Sequence, residues 1–303
     1  VTYEGAFPSQ FIGGDRAEKL LGVITVNGTR VESHVVEANG VKYATLQEAF
    51  NVGGDITLVC DVTASESIVL AEGKTAVLEL NGFALNGGEE STGKHIYVIK
   101  NYGSLTIKDT KGNGSINSRG VYNYREMILN SGKISAIDGN GGYAVNNQSG
   151  STFVMNGGVV AATNEDDHQS SSGGYDATAL KVPAGCTATL NGGIINNVCD
   201  FTYAIDAAGT LNIPATSTIT VNGTHGAIAV SDGVTTINAG TFQVPADEYS
   251  RTDNVLYVSG GSLVINGTYK LTVELAGLDL TNPNGPAIDI ECGKRIGVVL
   301  KKG

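Results

Sequence analysis

The sequence predicts an all-β chain wound as a right-handed, single-stranded parallel β-helix of roughly ten coils. A short helix closes its N-terminal mouth, and an extended arm precedes it. Three observations predict this. A strand, an Asn-Gly turn and a second strand recur as LNGGII (190–195), MNGGVV (155–160), LNSGKI (129–134), INAGTF (237–242) and INGTYK (265–270), with looser copies LNGFAL (80–85) and VNGTHG (221–226). The composition, 42 Gly and 6 Pro with no Trp and 41% hydrophobic residues, describes a turn-rich chain that still has enough apolar surface to bury an interior. Finally, strings such as ITLVCDV, SLTIKD and TATLNGG alternate apolar and polar residues with the period of a strand.

Residues 1–22 form the arm. They contain no Asn-Gly-Gly unit and no alternation, and their apolar residues Phe7, Pro8, Phe11, Leu20 and Leu21 have no coil to sit in, apart from one short helical turn at 15–21. Residues 23–54 carry hairpins and the cap. VITVNGTRVE and HVVEANGVKY each place short β runs around Asn-Gly, the pair that tolerates positive φ in a tight turn. ATLQEAF, 44–50, reads as a helix, with Thr45 and Glu48 closing a capping box and Gly53-Gly54 stopping it.

Residues 55–303 read as strands and turns. A first strand of the type YAVNN, TALKV, YAIDA, GAIAV or PAIDI is followed by a Gly turn (Gly150, Gly185, Gly209, Gly233, Gly293). A second strand then runs to the Asn-Gly turn, and a third follows it. Turns this short prevent such strands from pairing as sequential hairpins. Each pairs instead with its equivalent one coil later, which makes a solenoid. Parallel crossovers favour the right hand, and at ~4.8 Å per coil ten coils make a rod about 50 Å long.

The KYATLQEAF helix, the ITLVCDVTASESIVLAEGKTAVLELNGFALNG stretch and the Asn-Gly-Gly coils together resemble the pectin-lyase-like family of right-handed β-helices over about 43–300. The family includes polysaccharide lyases and hydrolases, phage tailspikes and fibres, and bacterial surface adhesins. The resemblance implies that the helix plugs the coil mouth. Physics asks the same of Leu46, Ala49 and Phe50, because an open coil end leaves apolar side chains and strand edges bare. It also implies a homotrimer.

The repeated asparagines read as a strut. Stacked at one corner, Asn81, Asn130, Asn156, Asn191, Asn238 and Asn266 can bond amide to amide in a ladder, and an amide has no pKa near 7 for acid–base work. Cys60, Cys186, Cys199 and Cys292 have no metal-like spacing and read as free, buried thiols, with a Cys186–Cys199 bridge as the alternative.

A net charge of −11 disfavours nucleic acid, anionic membranes and strongly anionic polysaccharides, the last unless a metal or a local basic patch intervenes. No basic and apolar leader opens the chain and no 18-residue apolar run crosses it. No NTD, GHG or RIK pattern marks a polygalacturonase-like hydrolase. The acids Asp109, Asp138, Asp166, Asp167, Asp176, Asp200 and Asp206 and the mid-chain Arg119 and Arg125 show no convergence of the pectate-lyase kind. The four histidines are too dispersed for zinc.

Three segments suit binding. SRGVYNYREM (118–127) gathers Arg119, Tyr122, Tyr124 and Arg125, residues suited to sugar stacking or interfaces. VPADEYSRTDN (244–254) offers Tyr249 and Arg251. TNEDDHQSSSGGYD (163–176) carries Glu165, Asp166, Asp167 and His168, oxygen ligands for Ca²⁺ but without the alternating spacing of a Ca²⁺ loop.

These features point to a non-catalytic virion protein: a head fibre, capsid decoration or tailspike-like rod. It would dock on a capsid or tail protein by its arm and present glycan-binding surface to the host. A secreted surface adhesin and a polysaccharide-cleaving enzyme are the alternatives.

Overall fold

The computed structural model describes residues 34–88, 96–137, 142–163, 177–199, 201–244 and 255–267, together with the short strands Thr2–Tyr3, Thr25–Val26, Thr29–Arg30, Thr272–Ala276, Ile288–Cys292 and Gly297–Lys301. The chain winds as a parallel β-solenoid, and each coil visits three sheets in fixed order. Sheet 1 has eight strands, from Ile68–Leu70 to Leu256–Val258. Sheet 2 has twelve, including 75–79, 104–108, 126–129, 152–155 and 187–190. Sheet 3 has eight, from Val62–Ala64 to Thr241–Gln243. Within the coils strands pair in parallel with their equivalents one coil on, as Ser104↔Glu126, Glu126↔Thr152 and Thr152↔Thr187 show.

The eight strands of sheets 1 and 3 make about seven turns, fewer than the ten expected from sequence. The coils are longer than the repeated motif suggests. The step from Glu126 to its partner Thr152 takes 26 residues and that from Thr152 to Thr187 takes 35. The extra length sits at one corner. Sheet 1 passes to sheet 2 through two to four residues, and sheet 2 to sheet 3 through three to six. Sheet 3 returns to sheet 1 through anything from three (between Ala64 and Ile68) to fourteen (between Thr163 and Thr178).

Strand alternation puts one set of residues into the coil, where register stacks them. Leu78, Ile107, Leu129, Met155 and Leu190 form one inward column of sheet 2, with Ala76, Leu105, Met127, Phe153 and Ala188 beside it. All are buried. The large Phe153 is followed by the small Ala188, the alternation that close packing requires.

The helix spans Leu46–Val52, two residues later than predicted. Thr45 caps it and the capping box with Glu48 is formed. Leu46, Ala49 and Phe50 are buried against the first coil, as a plug requires. Gln47 does something the sequence did not reveal. Its side-chain amide donates to the Val69 carbonyl (3.0 Å) and accepts from the Val69 amide (2.7 Å), so it takes the place of a missing strand at the edge of sheet 1. The Asn39-Gly40 hairpin forms with both residues at positive φ (52° and 77°) and covers the edge of sheet 2 antiparallel to Gly54–Leu58. Thr25–Val26 and Thr29–Arg30 pair around Asn27-Gly28 as predicted, and Thr2–Tyr3 adds to them in parallel. The arm residues Phe7, Pro8, Phe11, Leu20 and Leu21 lie outside the described residues. The PAIDI strand does not follow the first-strand grammar: Ile288–Cys292 pairs with Ser262–Gly267 in sheet 2.

The outer asparagine ladder is real but broken. Asn156 donates to Asn130, Asn191 to Asn156 (both 2.8 Å) and Asn266 to Asn238 (2.7 Å). Pro214 follows Ile213, the partner of the Leu190 column, and interrupts the run. Asn238 therefore donates to the Ile213 carbonyl instead (3.1 Å). Asn81 also stands outside the column: it lies beyond the Glu79–Lys108 rung and bonds the Leu58 carbonyl (3.1 Å). At the corners of Asn130, Asn156, Asn191 and Asn238 the glycines Gly132, Gly158, Gly193 and Gly240 take the left-handed turn, whereas at the earlier corner Asn81 itself does, with φ 54°. Gly193 has φ 103°, and a Cβ there would lie 2.7 Å from the Gly158 carbonyl oxygen.

A second ladder, unforeseen from sequence, runs inside the coil. Asn101 donates to Asn123 (2.9 Å), Asn123 to Asn147 (2.8 Å) and Asn147 to the Lys181 carbonyl (2.8 Å), all three with no exposed surface. Cys186 is free and buried as expected, so the alternative Cys186–Cys199 bridge does not form, and Cys199 is buried too; Cys60 departs from expectation, since it lies in a bend and is only half-buried.

Candidate functional site

The outer face of sheet 1 gathers the site. Strands Ile99–Asn101, Val121–Asn123 and Ile205–Ala207 each place a half-buried residue between two buried ones, so the central residue points out. Register stacks those residues as Lys100, Tyr122, Asn146, Lys181 and Asp206. Four steps of about 4.8 Å make this row about 19 Å long. Tyr97, Arg119 and Tyr143 flank it on the side where strands begin, and Tyr102 and Tyr124 on the side where they end.

The rings touch. Tyr102 and Tyr124 stack with centroids 4.3 Å apart, Tyr124 and Tyr122 at 4.8 Å, and Tyr97 meets Tyr122 edge-on at 4.7 Å. Such pairs contribute about 0.5–1.5 kcal/mol beyond area burial. Asn146 Nδ2 donates to Tyr97 Oη (2.8 Å), and Gln148 Nε2 donates to Asn146 Oδ1 (2.9 Å). The Arg119 guanidinium lies over the Tyr97 ring at 5.7 Å, and Lys181 Nζ over the Tyr143 ring at 5.1 Å. The residue before Arg119, Ser118, holds a left-handed φ of 79°, rare for a side chain of its kind. Its hydroxyl donates to the Gly87 carbonyl (2.8 Å) and accepts from the Gly87 amide (3.2 Å). Further along, Tyr203 meets His225 edge-on at 4.9 Å and stacks on Tyr257 at 5.8 Å.

The electrostatics follow burial. Desolvation pushes the Tyr143 hydroxyl up to about 12, helped by Asp206 and Tyr97. It raises Tyr97, against the bond from Asn146, and it raises Tyr124 together with the neighbouring tyrosines. These phenols stay protonated at neutral pH. Burial also raises Asp206, opposed by Lys181. Lys100, Arg119 and Lys181 space cations along this face, and Asp206 occupies the rung after Lys181.

Tyr122 and Tyr124 of the predicted segment therefore stack, Arg119 joins them through the Tyr97 ring, and Arg125 is exposed just beyond them. Tyr97, Tyr102, Tyr143, Asn146, Lys181 and Asp206 were missed, because only coil register brings them to one face. Asp109 does not serve the site. It is buried at the far corner, where its carboxylate accepts from the Gly82 (2.7 Å) and Gly114 (2.6 Å) amides. Glu165, Asp166, Asp167, His168, Tyr249 and Arg251 lie outside the described residues, as do Asp138, Asp176 and Asp200. Among the described residues no three His, Cys, Asp or Glu side chains converge on a metal position, and no helix is long and apolar enough to cross a membrane.

No family model, no curated protein and no solved structure matches this chain. The reading of the site rests on its own geometry. The arrangement offers ring faces, amide donors and acceptors, and cations, in a row along the rod. These are recognition groups for a ligand with both apolar faces and hydroxyls.

Proposed function

We propose that this protein is a non-catalytic attachment rod of the virion-fibre kind, which presents the tyrosine face of sheet 1 to a glycan on a host surface. The row of touching tyrosines, interleaved with Arg119, Asn146 and Lys181, carries this reading. Rigid aromatic rings supply contact area at low entropic cost, and Tyr and Arg dominate binding hot spots. The rings hold one another in place, so binding has little ordering cost. The virion part of the reading rests on the sequence of 1–22, with its Phe7, Pro8 and Phe11.

A glycan array probed with the full chain tests the binding part. The reading expects selective signals that fall at least tenfold in Tyr122→Ala and in Tyr97→Ala, measured at a temperature where circular dichroism shows both variants folded. Signals that survive both substitutions would reject the face as the binding surface.

A further inference from the structure

We propose that the tyrosine stack is also a modification site, at which a haem peroxidase with hydrogen peroxide couples Tyr102 to Tyr124 as dityrosine and ties two consecutive coils by a covalent bond. The motivating observation is that the fold itself pairs these two rings. Asn101 and Asn123 are register partners, so Tyr102 and Tyr124 follow them at equivalent positions one coil apart. The Tyr124 amide donates to the Asn101 carbonyl (2.8 Å), and the Tyr102 amide to the Leu70 carbonyl (2.9 Å). Beside them the Asn101 side chain donates to Asn123 (2.9 Å), with both asparagines fully buried. Backbone and ladder thus keep the two tyrosines at the ~4.8 Å separation of adjacent strands.

Orientation suits the chemistry. The Tyr102 and Tyr124 rings lie within 14° of parallel at 4.3 Å, and those of Tyr122 and Tyr124 within 22° at 4.8 Å. Their phenol ends lie together, because burial first, and then Tyr102 and Tyr122, raise the pKa of the Tyr124 hydroxyl. Alignment at the same end sets the carbons beside each hydroxyl next to one another, and these ortho carbons carry spin density in a phenoxyl radical. Tyr102 is 36% exposed, so an oxidant reaches the outer ring. The other ring contacts lack this arrangement: Tyr97 meets Tyr122 edge-on at 86°, and Tyr203 lies 5.8 Å from Tyr257. Cys60, Cys186 and Cys199 are free, so among the described residues no disulfide already joins the coils.

The step balances. Each phenol gives an electron to the peroxidase and a proton to solvent. The two phenoxyl radicals form one carbon–carbon bond between their ortho positions. Each of those carbons then passes its hydrogen to its own ring oxygen, which restores both phenols. The two electrons and two protons removed reduce one hydrogen peroxide to two waters.

Peroxidase and hydrogen peroxide acting on the dilute full chain test it, read by tryptic mass mapping. Cleavage after Lys100, Lys108, Arg119 and Arg125 places Tyr102 in peptide 101–108, and Tyr122 and Tyr124 in peptide 120–125. The major product should be these two peptides joined, lighter by two hydrogens, from a chain that still runs at 31.2 kDa on a denaturing gel. Tyr124→Phe should lower the joined product at least tenfold and Tyr122→Phe should leave it within twofold, with circular dichroism verifying that both fold. Tyr203 and Tyr257, in peptides 182–251 and 252–270, should join at less than a tenth of that yield. Coupling mainly at other tyrosines, links mainly between chains, or a Tyr124→Phe chain that couples as well as the wild type would each overturn the proposal. So would a chain left uncoupled while tyrosine amide in the same mixture is coupled. No glycan enters this experiment, so its outcome is separate from that of the binding reading.

Discussion

Asn123 has no exposed surface, donates to Asn147 at 2.8 Å and accepts from Asn101 at 2.9 Å, while its amide also reaches the Thr152 carbonyl at 3.0 Å. Asn191 makes the same kind of amide-to-amide bond at 2.8 Å on the outer corner, where water can replace it. Burial therefore separates two ladders of identical chemistry. Asn123→Ala should cost about 2–4 kcal/mol, because it strands an Asn101 donor and a carbonyl away from solvent. Asn191→Ala should cost about 0.5–1 kcal/mol. Urea unfolding of the two variants checks this, and equal losses would contradict the distinction. Asp206 gives a pH-dependent case. Burial raises its pKa, so the folded chain holds this proton more tightly than the unfolded one. Its contribution is fully favourable below the unfolded carboxyl pKa and is lost as pH rises through the raised value. Asp206→Asn should therefore raise the melting temperature at pH 7, and the gain should vanish as pH falls through the carboxylate range. A gain that persists at pH 3 would show that charge is not the cause.

At the scale of elements, the first coil is protected by two devices. The Asn39-Gly40 hairpin pairs with the edge of sheet 2, and Gln47 supplies both hydrogen bonds that the edge strand of sheet 1 lacks at Val69. Exposed edges template association between chains. Gln47→Ala leaves the helix intact, since alanine is a good helix former, but removes both bonds. It should cost about 1–3 kcal/mol. Val69 should also lose hydrogen-exchange protection before the neighbouring strand at Ile99–Asn101 does. Unchanged protection at Val69 would show that the amide pairing contributes nothing.

For the whole molecule, legibility depended on how local each signal was. The helix cap, the Asn-Gly hairpins and the three-strand grammar are written within ten or twenty consecutive residues, and the fold followed from them. The coil number did not, because the connection from Thr163 to Thr178 and its counterparts lengthen coils without disturbing the motif. The buried ladder was hidden because IKN, VYN and VNN look like ordinary strand ends, and polar residues at inward positions contradict the pattern used to find the core. The tyrosine face was half legible. Arg119, Tyr122 and Tyr124 share one segment, but Tyr97, Tyr143 and Lys181 join them only through register across coils. The uneven connections have a consequence for how such a rod can change. The ladders, the glycine corners and the inward columns all tie one coil to the next, so a residue added within them would throw every later coil out of step. A residue added between sheet 3 and sheet 1 disturbs no rung, and that corner borders the tyrosine face. New sequence can thus be spliced in beside the tyrosine face while the scaffold stays untouched, so on the proposed function specificity could drift quickly on a frame that changes slowly.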